Sequence, residues 1–184
     1  MLTKILESFS LCCYTKMRRR CGQILVIPVR LLEYGSVRAC ELVDAGELDV
    51  ALANLDYYNI DDLNHHVVME DSYVYCVSRT HRFAGEQQIT FDIRADEQII
   101  VFNTDSVQNV TVTAGFRGVG LQPNILMHCS QLYTILNFVR GGQCGAFLCS
   151  RLAVNPRDFM MLSVHPHITS RFGIVWKKGS TPPL

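Results

Sequence analysis

The chain has 184 residues, of which 48% are hydrophobic and 18% charged, a composition typical of a folded globular protein and not of a disordered one. Seventeen basic residues balance seventeen acidic ones, so bulk charge would attract neither nucleic acid nor a membrane surface. No apolar run approaches the roughly 20 residues that a membrane-spanning helix needs. Lys4 and Glu7 interrupt the apolar stretch at the N-terminus, and we therefore expect no secretory signal.

Eight cysteines are many for a chain of this length, so a disulfide framework has to be considered. No Cys-x-x-Cys pair occurs, and the adjacent Cys12 and Cys13 are poorly placed for a mutual bridge or a shared metal. Most of the others lie within or beside apolar runs, where a free thiol packs as a small hydrophobic group. We therefore expect reduced thiols and a cytoplasmic protein. The cysteines in apolar runs are Cys40, Cys76, Cys129, Cys144 and Cys149.

The first thirty residues give weak structural signals. Residues 1–11 carry apolar side chains at helical spacing, which indicates the tail of an amphipathic helix. Residues 12–26 predict no element, and their run Arg18–Arg20 is typical of a solvated loop more than of a phosphate-binding patch. Pro28 opens a predicted strand over residues 29–33, which suits an edge position or a strand start.

The stretch Glu33–Asn54 predicts a turn, a helix, a second turn and a buried strand. Ser36 stands where a helix N-cap belongs, and Gly46 stands just past the last turn, where a left-handed residue is favourable. Between them the apolar residues fall mostly on one helical face. Asp49–Ala53 then reads as a short apolar strand with Asn54 at its carboxyl end. Because ligands of such sheets bind beyond the carboxyl ends of strands, we expect a site near Ser36 and Asn54.

The middle of the chain predicts three strands and a helix. Leu63–Met69 and Tyr73–Ser78 read as two strands joined across three polar residues, and Gln98–Phe102 is a β-branched apolar run suited to a buried parallel strand. The turn directly after this run opens a helix, and such a turn presents backbone N–H groups and hydroxyls to an anion. Simple capping of the helix by Thr104 or Asp105 explains the same turn equally well.

The last third of the chain alternates strands with one strongly apolar helix. Asn124–His128 reads as a strand, and Ser130 then caps a helix over Gln131–Arg140. The apolar side chains of this helix face the core, which leaves Tyr133 and its polar residues for a rim or a partner. Further strands are predicted at Cys144–Cys149, Phe159–Val164 and Arg171–Lys178.

Local sequence motifs add to these patterns. The runs LLEYGS and ELVDAGELDVALANL resemble the effector-binding domain of LysR-type transcriptional regulators. Those domains typically show an acidic and a small hydroxyl residue after the second strand, then a Gly-Glu-Leu-Asp run before the third. The resemblance covers roughly residues 28–178. Four further blocks match in order, namely Val77–Arg82, Ile99–Asn103, Gly141–Gly145 and Gly173–Lys178.

The resemblance implies an α/β fold with two lobes, like a type 2 periplasmic binding protein, with mostly parallel sheets and two crossover strands. Lobe I would comprise residues 1–69 plus 165–184, and lobe II residues 70–164. The winged helix-turn-helix and the first strand of the family have no counterpart in this sequence. We therefore expect contact with DNA only through an N-terminal domain that the sequence lacks.

The resemblance also implies a function, the effector-sensing regulatory domain of a bacterial transcriptional regulator. A small organic effector, expected to be an anion, would lie between the lobes, with no cofactor, no metal and no membrane involved. The domain would dimerise, with Gln131–Arg140 as one interface helix. A stand-alone small-molecule-binding or dimerisation module without a DNA-binding head is the alternative. The expected effector-binding residues are Ser36, Asn54, Asn103, Thr104, Ser106 and Ser130.

No catalytic constellation is expected. The nucleophile-elbow, phosphate-loop and Rossmann patterns are absent from the sequence. His65 and His66 point to opposite faces of a predicted strand, so they cannot readily share a metal. Cys129 beside His128 is the best candidate nucleophile, but the sequence offers no partner to orient the histidine. We therefore expect that the chain is not an enzyme.

Overall fold

Apolar runs bounded by turn residues become strands, and amphipathic runs become helices, in a computed structural model of the chain. It describes Leu32 and residues 34–56, 59–93, 97–152 and 158–180. The helices are α1 (Ser36–Ala45), α2 (Val107–Gly118) and α3 (Leu132–Arg140), with 3₁₀ turns at Ile60–Asp62 and Ser150–Leu152. The strands are β1 (Val50–Asn54), β2 (Leu63–Ser78), β3 (Gln88–Thr90), β4 (Gln98–Val101), β5 (Asn124–His128), β6 (Ala146–Cys149), β7 (Phe159–His165) and β8 (Thr169–Lys177). The helix predicted over residues 1–11 and most of the strand predicted over residues 29–33 lie outside the described residues.

The long strand β2 joins two groups of strands. Its first part, Leu63–Ser72, pairs antiparallel with β8, which also pairs antiparallel with β1. Its second part, Tyr73–Ser78, pairs antiparallel with β6 and β7 instead, and β3 adds to β7 in parallel. The predicted break between Met69 and Tyr73 was wrong. The three polar residues there continue the strand because each is paired with a residue of β8.

The sheets are mixed. A separate two-stranded sheet consists of β4 and β5 in parallel. In the described part of the chain, four strand pairings are antiparallel and two are parallel. The α/β class is confirmed, but the expectation of mostly parallel sheets has to be corrected. The physical reason is that β2 and β8 run past each other as one long antiparallel pair.

The first hydrophobic core lies between α1 and the sheet of β1, β8 and the start of β2. Gly46 ends the helix with φ of 76°, which confirms the predicted left-handed cap. The apolar face of α1 then packs on inward-facing strand residues, which removes their apolar surface from water. The buried members of this core are Ala39, Cys40, Val43, Ala51, Ala53, Leu55, Leu63 and Val175.

The second core is built from aromatic rings around Phe147 of β6. The ring of Phe91 stacks on Phe147 with 5.1 Å between centroids, and Phe116 of α2 meets Phe147 edge-on at 5.9 Å. Tyr75 of β2 lies against the same ring at 4.7 Å. Such tilted and offset arrangements stabilise beyond the burial of area alone. The rings therefore fix α2 against β2 and β6.

Four of the five described cysteines are buried, as predicted for thiols that pack as small hydrophobic groups. Burial raises the pKa of Cys40 and Cys144 to about 11 and that of Cys76 and Cys149 to about 12, so these groups stay thiols at neutral pH. Cys129 is only half-buried.

Within the described ranges, no helix is long and apolar enough to span a bilayer.

Gly115 tests the packing of α2 on the aromatic core. A Cβ at this position would lie 2.4 Å from the Phe91 ring, so we expect Gly115→Ala to destabilise the protein by about 1–3 kcal/mol through overpacking. Gly118, in the same helix, has open space around the equivalent position, and Gly118→Ala should stabilise by up to about 1 kcal/mol through helix propensity. Urea unfolding of the two variants measures both effects, and equal stabilities would contradict the described packing.

Candidate functional site

Ser36 and Asn54, both predicted to line a site, are in direct contact. The Ser36 hydroxyl accepts a hydrogen bond from the backbone N–H of Asn54 at 3.0 Å. Because this oxygen is engaged across to β1, it does not cap its own helix. The N-cap of α1 is Gly35, which has no side chain to offer, and the prediction that Ser36 is the cap was wrong.

The Asn54 side chain joins β1 to β8. It is 4% exposed; its Nδ2 donates to the Ser170 hydroxyl at 2.5 Å, and its Oδ1 accepts from the backbone N–H of Asp56 at 3.0 Å. Buried amides are retained when both ends are paired in this way. Asn54 therefore has a structural role at the point where β1 ends, which its position in the sequence alone did not reveal.

An ion pair continues this junction toward the surface. Arg171 donates from its backbone N–H to Asp56 Oδ2 at 2.7 Å and from Nε to Oδ1 at 2.8 Å. Both side chains are partly exposed, so solvent screens the charges and the net stabilisation is modest. The pairing nevertheless leaves the edge beyond Asn54 without an unpaired charge at these two positions.

The turn between β4 and α2 holds the second group of predicted residues. The Ser106 hydroxyl accepts from the backbone N–H of Asn109 at 3.1 Å and so caps α2, whereas Thr104 and Asp105 do not. Asn103, Thr104 and Asp105 are exposed. The side chains of Asn103 and Thr104 are therefore open to solvent, and their contact with an effector stays a prediction.

Two buried amides fix this turn from below, and sequence reasoning missed both. Gln108 accepts from the Phe102 N–H at 3.0 Å and donates to the Phe147 carbonyl. Asn109 donates from Nδ2 to the Phe102 carbonyl at 2.8 Å. Their only signal in the sequence is two adjacent amide side chains in the first turn of a predicted helix. The carboxyl end of β4 is thereby held in a single position.

The two groups of predicted residues meet at Gly35 and Asp105. A Cβ on Gly35 would lie 2.6 Å from both the backbone oxygen and Oδ2 of Asp105, so only glycine allows this approach. The Asp105 carboxylate rests against the amino end of α1, where a negative charge is favoured. Ser36 lies on one side of the contact and Thr104 on the other.

Ser130, the sixth predicted residue, lies in the turn between β5 and α3. The backbone N–H of Cys129 donates to the Val101 carbonyl at 3.0 Å, so this turn follows the same sheet edge as the turn after β4. The N-cap of α3 is Gln131, not Ser130, and it makes no side-chain cap, so the predicted cap was wrong. The Cys129 sulfur accepts from the Gln131 N–H at 3.4 Å, a local backbone contact that explains its position.

Asp71 is a buried charge at the centre of β2 that the sequence did not single out. Its Oδ1 accepts from the Ser72 N–H at 2.8 Å and from the Ser150 hydroxyl at 2.5 Å. Its Oδ2 accepts from the Arg151 N–H at 3.0 Å, at the start of the 3₁₀ turn after β6. A buried carboxylate with three donors is satisfied, and it ties the middle of β2 to the end of β6.

Glu97 is the second buried carboxylate. Tyr75 donates to its Oε1 at 2.6 Å, Arg82 donates twice to Oε2 at 2.6 and 3.0 Å, and His81 Nε2 lies 3.0 Å from Oε1. His81 Nδ1 accepts from the Phe83 N–H, so Nε2 carries the proton toward Glu97. These contacts fix the loop after β2 to the start of β4.

In the described segments, no group of His, Cys, Asp and Glu has the arrangement of a metal site.

Asn54→Ala tests the structural role of this amide. Removal of the side chain leaves the Ser170 hydroxyl and the Asp56 N–H without their present partner, and we expect a loss of about 1–3 kcal/mol of unfolding free energy. Asn103→Ala, at an exposed position, should change stability by no more than about 0.5 kcal/mol. Chemical denaturation of the two variants makes the comparison, and an Asn54→Ala chain as stable as wild type would contradict the described junction.

Known structures with similar folds were found for most of the chain. The regulatory domain of CcmR from Synechocystis PCC6803, solved in complex with 2-PG, matches with a TM-score of 0.79 and 16% identity over 97% of this chain and 86% of that one. The C-terminal domain of a probable LysR family regulator from Rhodococcus sp. RHA1 matches at 0.77 and 17%, covering 96% and 85%. The effector binding domain of QuiR, in complex with shikimate, matches at 0.70 and 17%, covering 83% and 73%. At these identities the likeness establishes the fold.

The family comparison goes further than the fold. Among curated proteins none matches the chain. The model of the LysR substrate binding domain, however, matches residues 17–184. This match confirms the resemblance read from the sequence motifs and extends it upstream of Pro28, into the segment for which no element was predicted. The chain therefore belongs to the LysR substrate binding domain family.

Proposed function

We propose that this chain is the effector-sensing regulatory domain of a LysR-type transcriptional regulator and that it binds a small organic molecule. The observation that carries the proposal is the convergence of the amino end of α1, the end of β1 and the turn before α2 at the Gly35–Asp105 contact. Membership of the LysR substrate binding domain family supports it. So do two similar structures, a regulatory domain in complex with 2-PG and an effector binding domain in complex with shikimate.

We further propose two lobes, residues 1–69 plus 165–184 and residues 70–164. The change of partners along β2 supports the division, because Ser72 is the last residue paired with β8 and Tyr73 the first paired with β6. Effector binding would favour one arrangement of the lobes over another, which is how a ligand shifts a conformational equilibrium. The buried carboxylate of Asp71 lies beside the point where β2 exchanges β8 for β6. It would keep β2 continuous when the arrangement of the lobes changes.

The proposed effector-binding residues differ in the hydrogen bonds that their side chains already make. Ser36 and Asn54 bond to each other, and Asn54 also bonds to Ser170 of β8. These two residues would therefore position the site more than contact the ligand directly. Asn103 and Thr104 are exposed and stand at the start of a helix, where donors for an organic anion are found. Ser106, shared with the α2 cap, and Ser130, in the neighbouring turn, complete the set.

The proposal makes the chain a binding module and not an enzyme. The best candidate nucleophile, Cys129, contacts backbone groups of Gln131 at both of its sulfur contacts, and catalysis needs a base oriented toward it. The described cysteines are free thiols, the usual state in the reducing cytoplasm, which supports a cytoplasmic location. Operator binding would need a DNA-binding domain outside this chain, because its net charge is zero.

Thermal unfolding against a panel of small organic acids, amino acids and sugars tests the proposal. A ligand at 100 times its dissociation constant should add about 2.7 kcal/mol to the unfolding free energy. Thr104→Ala should weaken a hit by removing an exposed hydroxyl from the site, whereas Ser180→Ala, beyond the opposite end of β8, should leave it unchanged. A cooperative melt that shifts with no member of the panel would count against the proposal.

We also propose that the domain forms a dimer through α3. Its buried face packs inward, and Tyr133 on the other face is 63% exposed, which offers a partner an aromatic side chain of the kind enriched in interfaces. We expect Tyr133→Asp to shift the chain from dimer to monomer in analytical ultracentrifugation, because a charge would be desolvated in the interface. Asp44→Asn, at an exposed position on α1, serves as the control. An unchanged sedimentation coefficient for Tyr133→Asp would exclude this interface.

A further inference from the structure

The hydroxyl of Tyr73 is a buried polar group for which the predicted site gives no role. Tyr73 lies on β2 where pairing with β8 has ended and pairing with β6 begins. Its side chain is 2% exposed, and its hydroxyl makes no hydrogen bond to any described residue. A buried hydroxyl without a partner loses its hydrogen bonds to water and forms none with the protein, which lowers the stability of the folded state. Such a group therefore calls for an explanation.

Polar side chains from three other elements surround this hydroxyl. The hydroxyls of Ser170 on β8 and Thr111 on α2 lie near enough to favour the phenolate, but neither meets the geometry of a hydrogen bond with the neutral phenol. The Cys149 thiol of β6 is the third neighbour. Ser170 accepts from Asn54 and can still donate its own proton. We call Tyr73, Thr111, Cys149 and Ser170 the hydroxyl cluster.

The phenol and the thiol of the hydroxyl cluster are neutral groups. Burial raises the pKa of Tyr73 well above its usual range, and the Asp56 carboxylate adds to the rise. Burial also raises the pKa of Cys149 to about 12, with Asp71 and Asp56 contributing. Both groups therefore stay neutral at physiological pH. An uncharged hydroxyl, which both donates and accepts, suits the cluster.

We propose that the hydroxyl cluster binds a neutral hydroxyl group of the effector, with Tyr73 as the residue that selects a hydroxylated effector over its deoxy counterpart. This inference rests on the proposed function of the chain. A continuous path of contacts joins the cluster to the predicted site, because Asn54 bonds to Ser36 at 3.0 Å on one side and to Ser170 at 2.5 Å on the other. The Tyr73 hydroxyl is closed to solvent, so an effector reaches it only when the packing around the hydroxyl cluster opens.

Two matched substitutions on β2 test whether the Tyr73 hydroxyl is unpaired without effector. Tyr75 is also buried, but its hydroxyl donates to Glu97 at 2.6 Å. We expect Tyr73→Phe to keep or raise the Tm of the ligand-free chain, since it removes a polar group that has no partner. Tyr75→Phe should lower the Tm, because it takes a donor from a buried carboxylate. A Tyr73→Phe chain that melts as low as Tyr75→Phe would show a partner already in place and overturn the inference.

Ligand pairs that differ by one hydroxyl test the selection itself. The probes are lactate against propionate and malate against succinate, measured by thermal unfolding in ligand titrations. We expect wild type to prefer the hydroxylated member, and Tyr73→Phe to lose about three- to tenfold in affinity for that member alone, which is the net effect of one hydrogen bond. Tyr75→Phe, measured in the same way as a shift from its own ligand-free Tm, should retain the preference.

The outcomes separate this inference from the proposed function. If wild type binds members of the pairs without preferring the hydroxyl, or if Tyr73→Phe retains the preference, the hydroxyl cluster does not select the effector and the proposed function stands. If wild type shifts with no ligand of the pairs or of the wider panel, both fail together. A preference that is lost in Tyr73→Phe and kept in Tyr75→Phe supports both.

Discussion

The antiparallel pairing of β2 with β8 is the constraint on which the rest of the structure depends. It places the carboxyl end of β1 beside the start of β8, where Asn54 reaches Ser170, and it delivers the second part of β2 to β6 and β7. A ladder this long resists sliding, because a shift of one residue would exchange the buried and exposed faces of the strand. The positions of the candidate site residues follow from this register.

Buried polar groups define where the chain is rigid and where it is free. Four buried polar residues each make at least two hydrogen bonds to other parts of the chain or to neighbouring turns. They are Asp71, Glu97, Gln108 and Asn109. Breaking such contacts in a buried setting is costly, since each leaves an unpaired polar group. Among the described hydrogen bonds, none comes from the side chains of the exposed turn from Asn103 to Asp105. Ligand-dependent change is therefore expected at this turn's surface and not in the supports beneath it.

Much of the fold could be predicted from periodicity, and the failures have physical causes. The strand Asn124–His128 and the buried face of α3 agree with the predictions because hydrophobic spacing decides both. The predicted break in β2 was wrong because tertiary pairing with β8 outweighed the turn propensity of three polar residues. The local pattern predicts Ser36 and Ser130 as caps because hydroxyls favour that position, and both predictions were wrong. The Ser36 oxygen instead accepts from Asn54, a residue 18 positions away that no local pattern identifies.

The same limit explains why Tyr73 did not stand out in the sequence. On its strand it reads as one apolar residue among several with the same facing, and Tyr75 two positions later gives an identical signal. The structure distinguishes the two residues. The Tyr75 hydroxyl donates to Glu97, whereas the Tyr73 hydroxyl has only the other members of the hydroxyl cluster as neighbours and bonds to none of them. A buried aromatic ring contributes to the core whether or not its oxygen is paired. Phenylalanine would therefore serve packing equally well, and the unpaired Tyr73 oxygen, where β2 passes from β8 to β6, supports the proposed role in binding.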